Sequence, residues 1–234
     1  PGIAVAVVRK GAKPWLKGYG VRTMGRPEPV DAHTRFGIAS NSKAFTAAAL
    51  AMLVEEGKLG WDDVLTRHLP EFKMADPAVT AMFTVRDLLV HRSGLPLGAG
   101  DLMYFPQSTA DVAQVLRALQ FLQPVRGFRT GYDYDNILYI VAGALIERVS
   151  GMGWRDFVTV RMLKPLGMTG AVAPRELLAT DNVAARHARP GPPVRAGRRV
   201  GAGLAQGSGA EVQEGLRHPV RGPLEELGES WAGG

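Results

Sequence analysis

Phe36-Gly37-Ile38-Ala39-Ser40-Asn41-Ser42-Lys43 runs without interruption into Ala44-Phe45-Thr46-Ala47-Ala48-Ala49-Leu50-Ala51-Met52-Leu53. The second stretch is built from strong helix formers, and Gly57 stands where a helix over Ser42 to Glu56 would be capped. Ser40 is therefore expected at a helix N-terminus, with Lys43 three residues on. On a helix that spacing puts both side chains on one face, so the lysine nitrogen can approach Ser40 Oγ from the following turn.

Outward from this stretch, Ile3 to Arg9 is β-branched and apolar, Gly11 supplies a turn, and Trp15, Leu16 and Tyr19 follow, which predicts a β-hairpin. Residues 20–35 hold Gly25, Pro27 and Pro29 without a sustained period and are expected to be loop. A second helix is expected from Thr84, where Thr84 and Asp87 have capping-box spacing, to Gly94. A third is expected over Thr109 to Leu122. Asn136 to Val149 is apolar nearly all round, the pattern of a helix buried on every side, with Tyr134 at its entry. Trp154 to Leu163 is expected to be a further helix, closed by Pro165 and Gly167.

A chain of 234 residues that is 46% hydrophobic has ample material for a core. Its net charge of +6 does not make a nucleic-acid surface, because the arginines are spread along the chain and no basic cluster alternates with aromatics. Cysteine is absent, which excludes disulfides and thiolate chemistry. The five histidines show no His-Glu-x-x-His or comparable metal spacing, and Gly-x-Ser-x-Gly does not occur. The longest apolar stretch, Ile137 to Ile146, is about half of the roughly 20 residues a membrane-spanning helix needs. The sequence opens at Pro1 on an apolar strand, so its start is read as trimmed and the compartment is left open.

Acyl transfer by serine needs a base near the hydroxyl and donors for the developing oxyanion. An amine accepts a proton only when neutral, so such a lysine requires a partly dry cleft. The Ser40–Lys43 spacing alone is weak, since roughly 0.2 such pairs arise by chance in a chain of this composition. A helix-capping serine followed by a surface lysine reads the same way. Tyr134-Asp135-Asn136 adds a phenol that can relay the serine proton and an amide that can orient lysine and substrate. A core tyrosine followed by a helix cap is the bland alternative. The two motifs together arise by chance in roughly one such chain in a hundred. His91-Arg92-Ser93-Gly94 is read as structural, at a helix end.

With these motifs in place the sequence resembles the serine β-lactamase-related family: class C β-lactamases, D-alanyl-D-alanine carboxypeptidases of similar type and related esterases. The resemblance runs from Pro1 to about His187. It also rests on Gly57-Lys58-Leu59, Leu69-Pro70-Glu71-Phe72, Thr84-Val85-Arg86-Asp87-Leu88-Leu89, His91-Arg92-Ser93-Gly94-Leu95 and Pro165-Leu166-Gly167-Met168-Thr169, in that order. It implies an α+β fold, a β-lactamase/transpeptidase-like sandwich of antiparallel sheet and helices. Ser40 would be the acylated nucleophile, Lys43 and Tyr134 the base and acid, and Asn136 a substrate-binding, positioning residue. The implied partner is a small-molecule or peptide substrate: a β-lactam, a D-amino-acid peptide or a small ester. No metal or organic cofactor is implied, the oligomeric state is open, and a periplasmic or secreted location goes with the resemblance.

One departure stands out. The family's third motif, Lys-Thr-Gly or His-x-Gly, follows Asn136 in neither form, so the C-terminal strands of the sandwich are expected to be missing. An oxyanion donor is worth about 3 to 4 kcal/mol. The alternative reading is accordingly a truncated, catalytically inactive relative or a binding module. Residues 187–234 hold 11 glycines, 5 prolines and 6 arginines but no Ile, Phe, Tyr, Met or Lys. The sequence thus divides into a partial hydrolase domain over 1–186 and a tail over 187–234, expected to be disordered or translated from a shifted reading frame.

Overall fold

The computed structural model describes residues 1–104, 109–168, 170–171 and 181–187. The expected tail begins at the edge of this set, and its residues 188–234 lie outside it. The described residues fall into two compact units, 1–37 with 181–187, and 38–171.

In the first unit, β1 (Ile3–Val7) pairs antiparallel with β2 (Trp15–Tyr19), in a register from Ile3 opposite Tyr19 to Val7 opposite Trp15. This is the expected hairpin, two residues shorter on its first strand. The loop that follows is tied down locally. Val30 is buried and its N–H donates to Gly20 O at 3.0 Å. Thr34 Oγ1 donates to Asn182 Oδ1 at 2.8 Å, and Asn182 Nδ2 donates to Asp31 Oδ1 at 3.0 Å. A one-residue parallel bridge joins Arg35 to Val183.

The second unit is helical. A 3-10 turn at Ala39–Asn41 leads into α1 (Ser42–Glu55), and Gly57 ends it with φ +68° as the sequence predicts. α2 (Pro77–Met82) was not anticipated, although its signal is local: Asp76 Oδ1 accepts from Ala78 N–H at 2.7 Å and Pro77 opens the first turn. α3 (Val112–Ala118) is capped by Asp111 and Gln114 in a reciprocal capping box, so it starts later than Thr109 and ends in a 3-10 turn at Leu119–Phe121. α4 spans Ile137–Ser150, and α5 (Trp154–Val158) continues as a π turn over Thr159–Leu163. α4 packs against α1, α3 and α5. Nine of its residues are buried, including Ile137, Leu138, Ile140, Val141, Leu145 and Ile146, as expected for an all-round apolar helix.

The helix expected from Thr84 to Gly94 does not form. Thr84 N–H and Oγ1 do bond Asp87 Oδ2, at 2.8 and 2.7 Å, but only a 3-10 turn at Arg86–Leu88 results. The turn closes through i→i−3 bonds, Leu88 N–H to Val85 O and Leu89 N–H to Arg86 O, while the first-turn donors Val85 N–H and Arg86 N–H bond Asp63 O and Trp61 O of a crossing segment. Asp87 is held in a bidentate pair by Arg129, and His91 enters the left-handed region with φ +55°. Long-range partners outcompete the local pattern.

Below α4, Phe72 and Phe83 meet at a centroid distance of 4.9 Å and Phe83 stacks on Phe128 at 5.3 Å. Phe72 and Phe83 are fully buried. Trp154 Nε1 donates to the buried Thr46 Oγ1 at 2.9 Å, fastening α5 to α1. Among the described residues no single helix is long and apolar enough to cross a membrane.

Candidate active site

Three segments of the helical unit converge at Ser40. The first is the entry to α1. Ala39 takes φ +44°, a conformation that costs a non-glycine residue energy, and the chain then turns sharply through Ser40 into the helix. Asn41 N–H and Asn41 Nδ2 both donate to Ile38 O, at 3.0 and 2.9 Å, and Ser42 Oγ donates to Ala39 O at 2.5 Å. This lattice fixes the turn and leaves the Ser40 side chain exposed. Lys43, one helical turn later, is only 7% exposed.

The second segment is the loop entering α4. It brings Tyr134 Oη to 2.6 Å from Ser40 Oγ and Asn136 Oδ1 to 2.7 Å from Lys43 Nζ. Lys43 Nζ in turn lies 3.3 Å from Ser40 Oγ. All four residues singled out from the sequence therefore meet in one cluster, with Ser40 Oγ between a lysine nitrogen and a phenol. Lys43 Nζ also stands over two aromatic rings, 4.9 Å from the Tyr134 centroid and 5.1 Å from that of Tyr139.

The third segment is the loop around Asp101, whose carboxylate accepts from Asn136 Nδ2 at 3.3 Å and 3.2 Å. Gly100 makes this approach feasible. It takes φ +76°, and a Cβ there would lie 2.3 Å from Ile137 Cδ1. Tyr104 Oη donates to the same carboxylate, and burial together with that bond pushes the Tyr104 phenol well above its usual range.

Beneath the cluster Asp135 is completely buried. Its Oδ2 accepts from Ser93 Oγ at 3.2 Å and its Oδ1 from Leu138 N–H at 3.4 Å, yet loss of solvent pushes the carboxyl up to about 6. Tyr139 donates to Leu89 O at 2.9 Å and is pushed up to about 12, chiefly by burial. Burial also lowers His91, aided by the charge of Lys43. Among the described residues no group of three or more His, Asp or Glu side chains is placed to hold a metal ion.

The family model described as beta-lactamase matches residues 1–217. The chain belongs to the beta-lactamase family. The beta-lactamase family relatives include the unguisins hydrolase ungD of Aspergillus violaceofuscus (strain CBS 115571), 36% identical over 194 residues, which cover 76% of this chain and 34% of that protein. Protein flp of Staphylococcus aureus (strain COL) is 30% identical over 169 residues, covering 72% of this chain and 34% of that protein. The chain thus spans about a third of the length of these curated relatives.

Solved structures agree. The octameric penicillin-binding protein homologue from Pyrococcus abyssi is 30% identical with a TM-score of 0.65, over 79% of this chain and 43% of that one. The D-amino acid amidase from Ochrobactrum anthropi SV3, complexed with L-phenylalanine amide, is 30% identical with a TM-score of 0.61, over 72% of this chain and 46% of that one. The fold is therefore the α+β fold of the β-lactamase/transpeptidase type, shared with the serine hydrolases of the beta-lactamase family.

Asp101, Tyr139 and His91 border the cluster through Asn136, Lys43 and Tyr134 without a motif that marks them for it. Asp101 had no motif around it, and it joins Asn136 only through a loop 35 residues away. His91 carried a visible motif, but that motif was attached to a helix end that does not exist.

Proposed function

We propose that this chain carries the acyl-transfer site of a serine hydrolase acting through an acyl-enzyme on a β-lactam, a D-amino-acid peptide or amide, or a small ester. The observation that supports it is a single exposed serine hydroxyl held 3.3 Å from a buried lysine nitrogen and 2.6 Å from a phenol. Such an arrangement gives a nucleophile two groups within proton-transfer reach. Ser40 Oγ attacks the carbonyl carbon, and its proton passes to the Lys43–Tyr134 pair. The Ser40 N–H at the entry to α1 donates to the oxyanion. The pair returns the proton to the departing nitrogen or oxygen, leaving a Ser40 ester that water hydrolyses to the acid and free Ser40. Asn136 holds Lys43 through its carbonyl. Its Nδ2 donates to the Asp101 carboxylate and also meets the Tyr104 hydroxyl, which sets the amide plane at the edge of the cleft.

A labelled fluorophosphonate or penicillin incubated with the purified chain should add one adduct mass on the peptide containing Ser40, and Ser40→Ala should add none. Equal labelling of both proteins would overturn the assignment. Turnover is read separately from acylation: steady-state hydrolysis of nitrocefin or a p-nitrophenyl ester that disappears in Ser40→Ala would show that water releases the Ser40 ester.

A further inference from the structure

Tyr134 is bracketed by one residue. His91 O accepts from Asp133 N–H at 2.9 Å, on one side of the tyrosine, and His91 Nδ1 accepts from Asp135 N–H at 3.2 Å, on the other. Between these bonds the imidazole stacks on the Tyr134 ring itself, with centroids 4.5 Å apart and planes inclined by 30°. The imidazole continues to Tyr139, at 5.5 Å and 29°, and meets the edge of Tyr132 at 5.5 Å and 72°. A core histidine serving only to fill space would not need its carbonyl, its ring nitrogen and its ring face all committed to one three-residue segment.

We propose that His91 is the positioning residue for Tyr134, holding residues 133–135 so that the phenol lies against Ser40 Oγ. The proposal rests on the reading of Tyr134 as a partner of Ser40 in acyl transfer. The geometry sets the chemical form of the ring. Nδ1 accepts a backbone N–H, so it carries no proton, and the ring hydrogen lies on Nε2. A protonated imidazole would turn Nδ1 into a donor facing another donor. Burial and the Lys43 charge both favour the neutral ring. The left-handed backbone of His91, φ +55°, gives the carbonyl and the ring their simultaneous reach toward one segment.

That backbone conformation also selects the test. Glycine and asparagine both accept a positive φ, so neither adds strain at position 91. Asparagine Oδ1 hangs from Cγ as Nδ1 does and can accept the Asp135 N–H, whereas glycine has no acceptor. With fluorophosphonate as the probe, His91→Gly should lower the maximal acylation rate about 10- to 100-fold at unchanged inhibitor affinity, the range expected for a misplaced reacting group. His91→Asn should recover to within a few-fold of wild type. In a Tyr134→Phe background His91→Gly should cost nothing further, because there is no phenol left to position.

Hydrogen exchange supplies a readout independent of activity. The Asp135 amide should lose protection in His91→Gly and keep it in His91→Asn, with melting temperatures of both variants reported alongside. Equal acylation rates for His91→Gly and wild type would overturn the proposal, as would an equal loss from His91→Gly whether or not Tyr134→Phe is also present. So would unchanged exchange at Asp135. If the wild-type chain takes no label, the acyl-transfer reading falls, and exchange at Asp135 still decides whether His91 holds the segment.

Discussion

Asn136 Oδ1 accepts from Lys43 Nζ at 2.7 Å while Asn136 Nδ2 donates to the Asp101 carboxylate at 3.2 Å, so one amide is oriented from both ends. A carboxylate accepts only, which forces the amide nitrogen toward Asp101 and the carbonyl toward Lys43. Replacing Asp101 by asparagine offers a donor as well as an acceptor and removes that constraint. Asp101→Asn should slow fluorophosphonate acylation about 10-fold by releasing the lysine, in proportion to one lost charge-assisted hydrogen bond of about 1.5 kcal/mol. The folded state should persist, because Asp101 is half-exposed. Stopped-flow or gel labelling kinetics read the rate directly, and a wild-type rate would remove Asp101 from the site.

Tyr134 invites a sharper expectation. Its hydroxyl is 2.6 Å from Ser40 Oγ, and no other hydrogen bond of that hydroxyl is needed to hold the ring, which stacks on His91. Tyr134→Phe should therefore leave the melting temperature within a few degrees of wild type. Acylation of Ser40 should fall by about 10²-fold or more, the usual contribution of a positioned acid or base. Labelling at an undiminished rate would leave Lys43 as the sole proton acceptor.

The parts of this site that the sequence disclosed are those written within a few residues of each other. Ser40 and Lys43 share one turn of chain, Tyr134 and Asn136 flank one residue, and the helix formers around each are strong local signals. The hairpin was legible for the same reason. Asp101 and His91 reach the site across 35 and 44 residues, and a loop has no period that could announce where it will arrive. The helix expected from Thr84 shows the converse error: its cap is real, but the chain is tied to Asp63, Trp61 and Arg129 at its start and leaves the helical path at His91, φ +55°. α2 is announced only by Asp76-Pro77, because a single apolar side chain, the partly buried Val79, packs from it on the core and six residues carry no apolar stripe.

That long-range claim on the Thr84 segment has an energetic signature. Asp87 is 4% exposed, and although burial alone would raise its carboxyl, bonds from Arg129 and Thr84 hold it below its ordinary value. Arg129 reaches it through Nε at 2.9 Å and through a terminal nitrogen at 2.5 Å. The arginine is itself partly exposed, which screens the pair. Arg129→Ala removes the cation yet leaves the two Thr84 donors, so the cost should be about 1 to 3 kcal/mol. Urea unfolding should give a lower midpoint at an unchanged slope. A midpoint equal to that of wild type would mean that Thr84 alone satisfies the carboxylate.

Asp135 makes the opposite prediction with pH. Its side chain is wholly buried, and loss of solvent raises its carboxyl from 3.8 to about 6. Between those values the unfolded chain has released the proton and the folded chain still holds it, so stability falls as pH rises. The contribution is fully present below about pH 4, is lost through about pH 6 and is flat above, for a total on the order of 3 kcal/mol. Asp31, Glu56 and Asp87 are shifted the other way and gain stability over the lower part of the acid range, which obscures the trend in wild type alone. The difference between Asp135→Asn and wild type isolates it. Asparagine keeps an oxygen for Leu138 N–H and cannot ionise, so the variant should gain on wild type by that amount between pH 4 and pH 7, measured by chemical unfolding. A difference independent of pH would show that Asp135 is ionised throughout, with Ser93 and the start of α4 supplying enough donors to keep a buried charge.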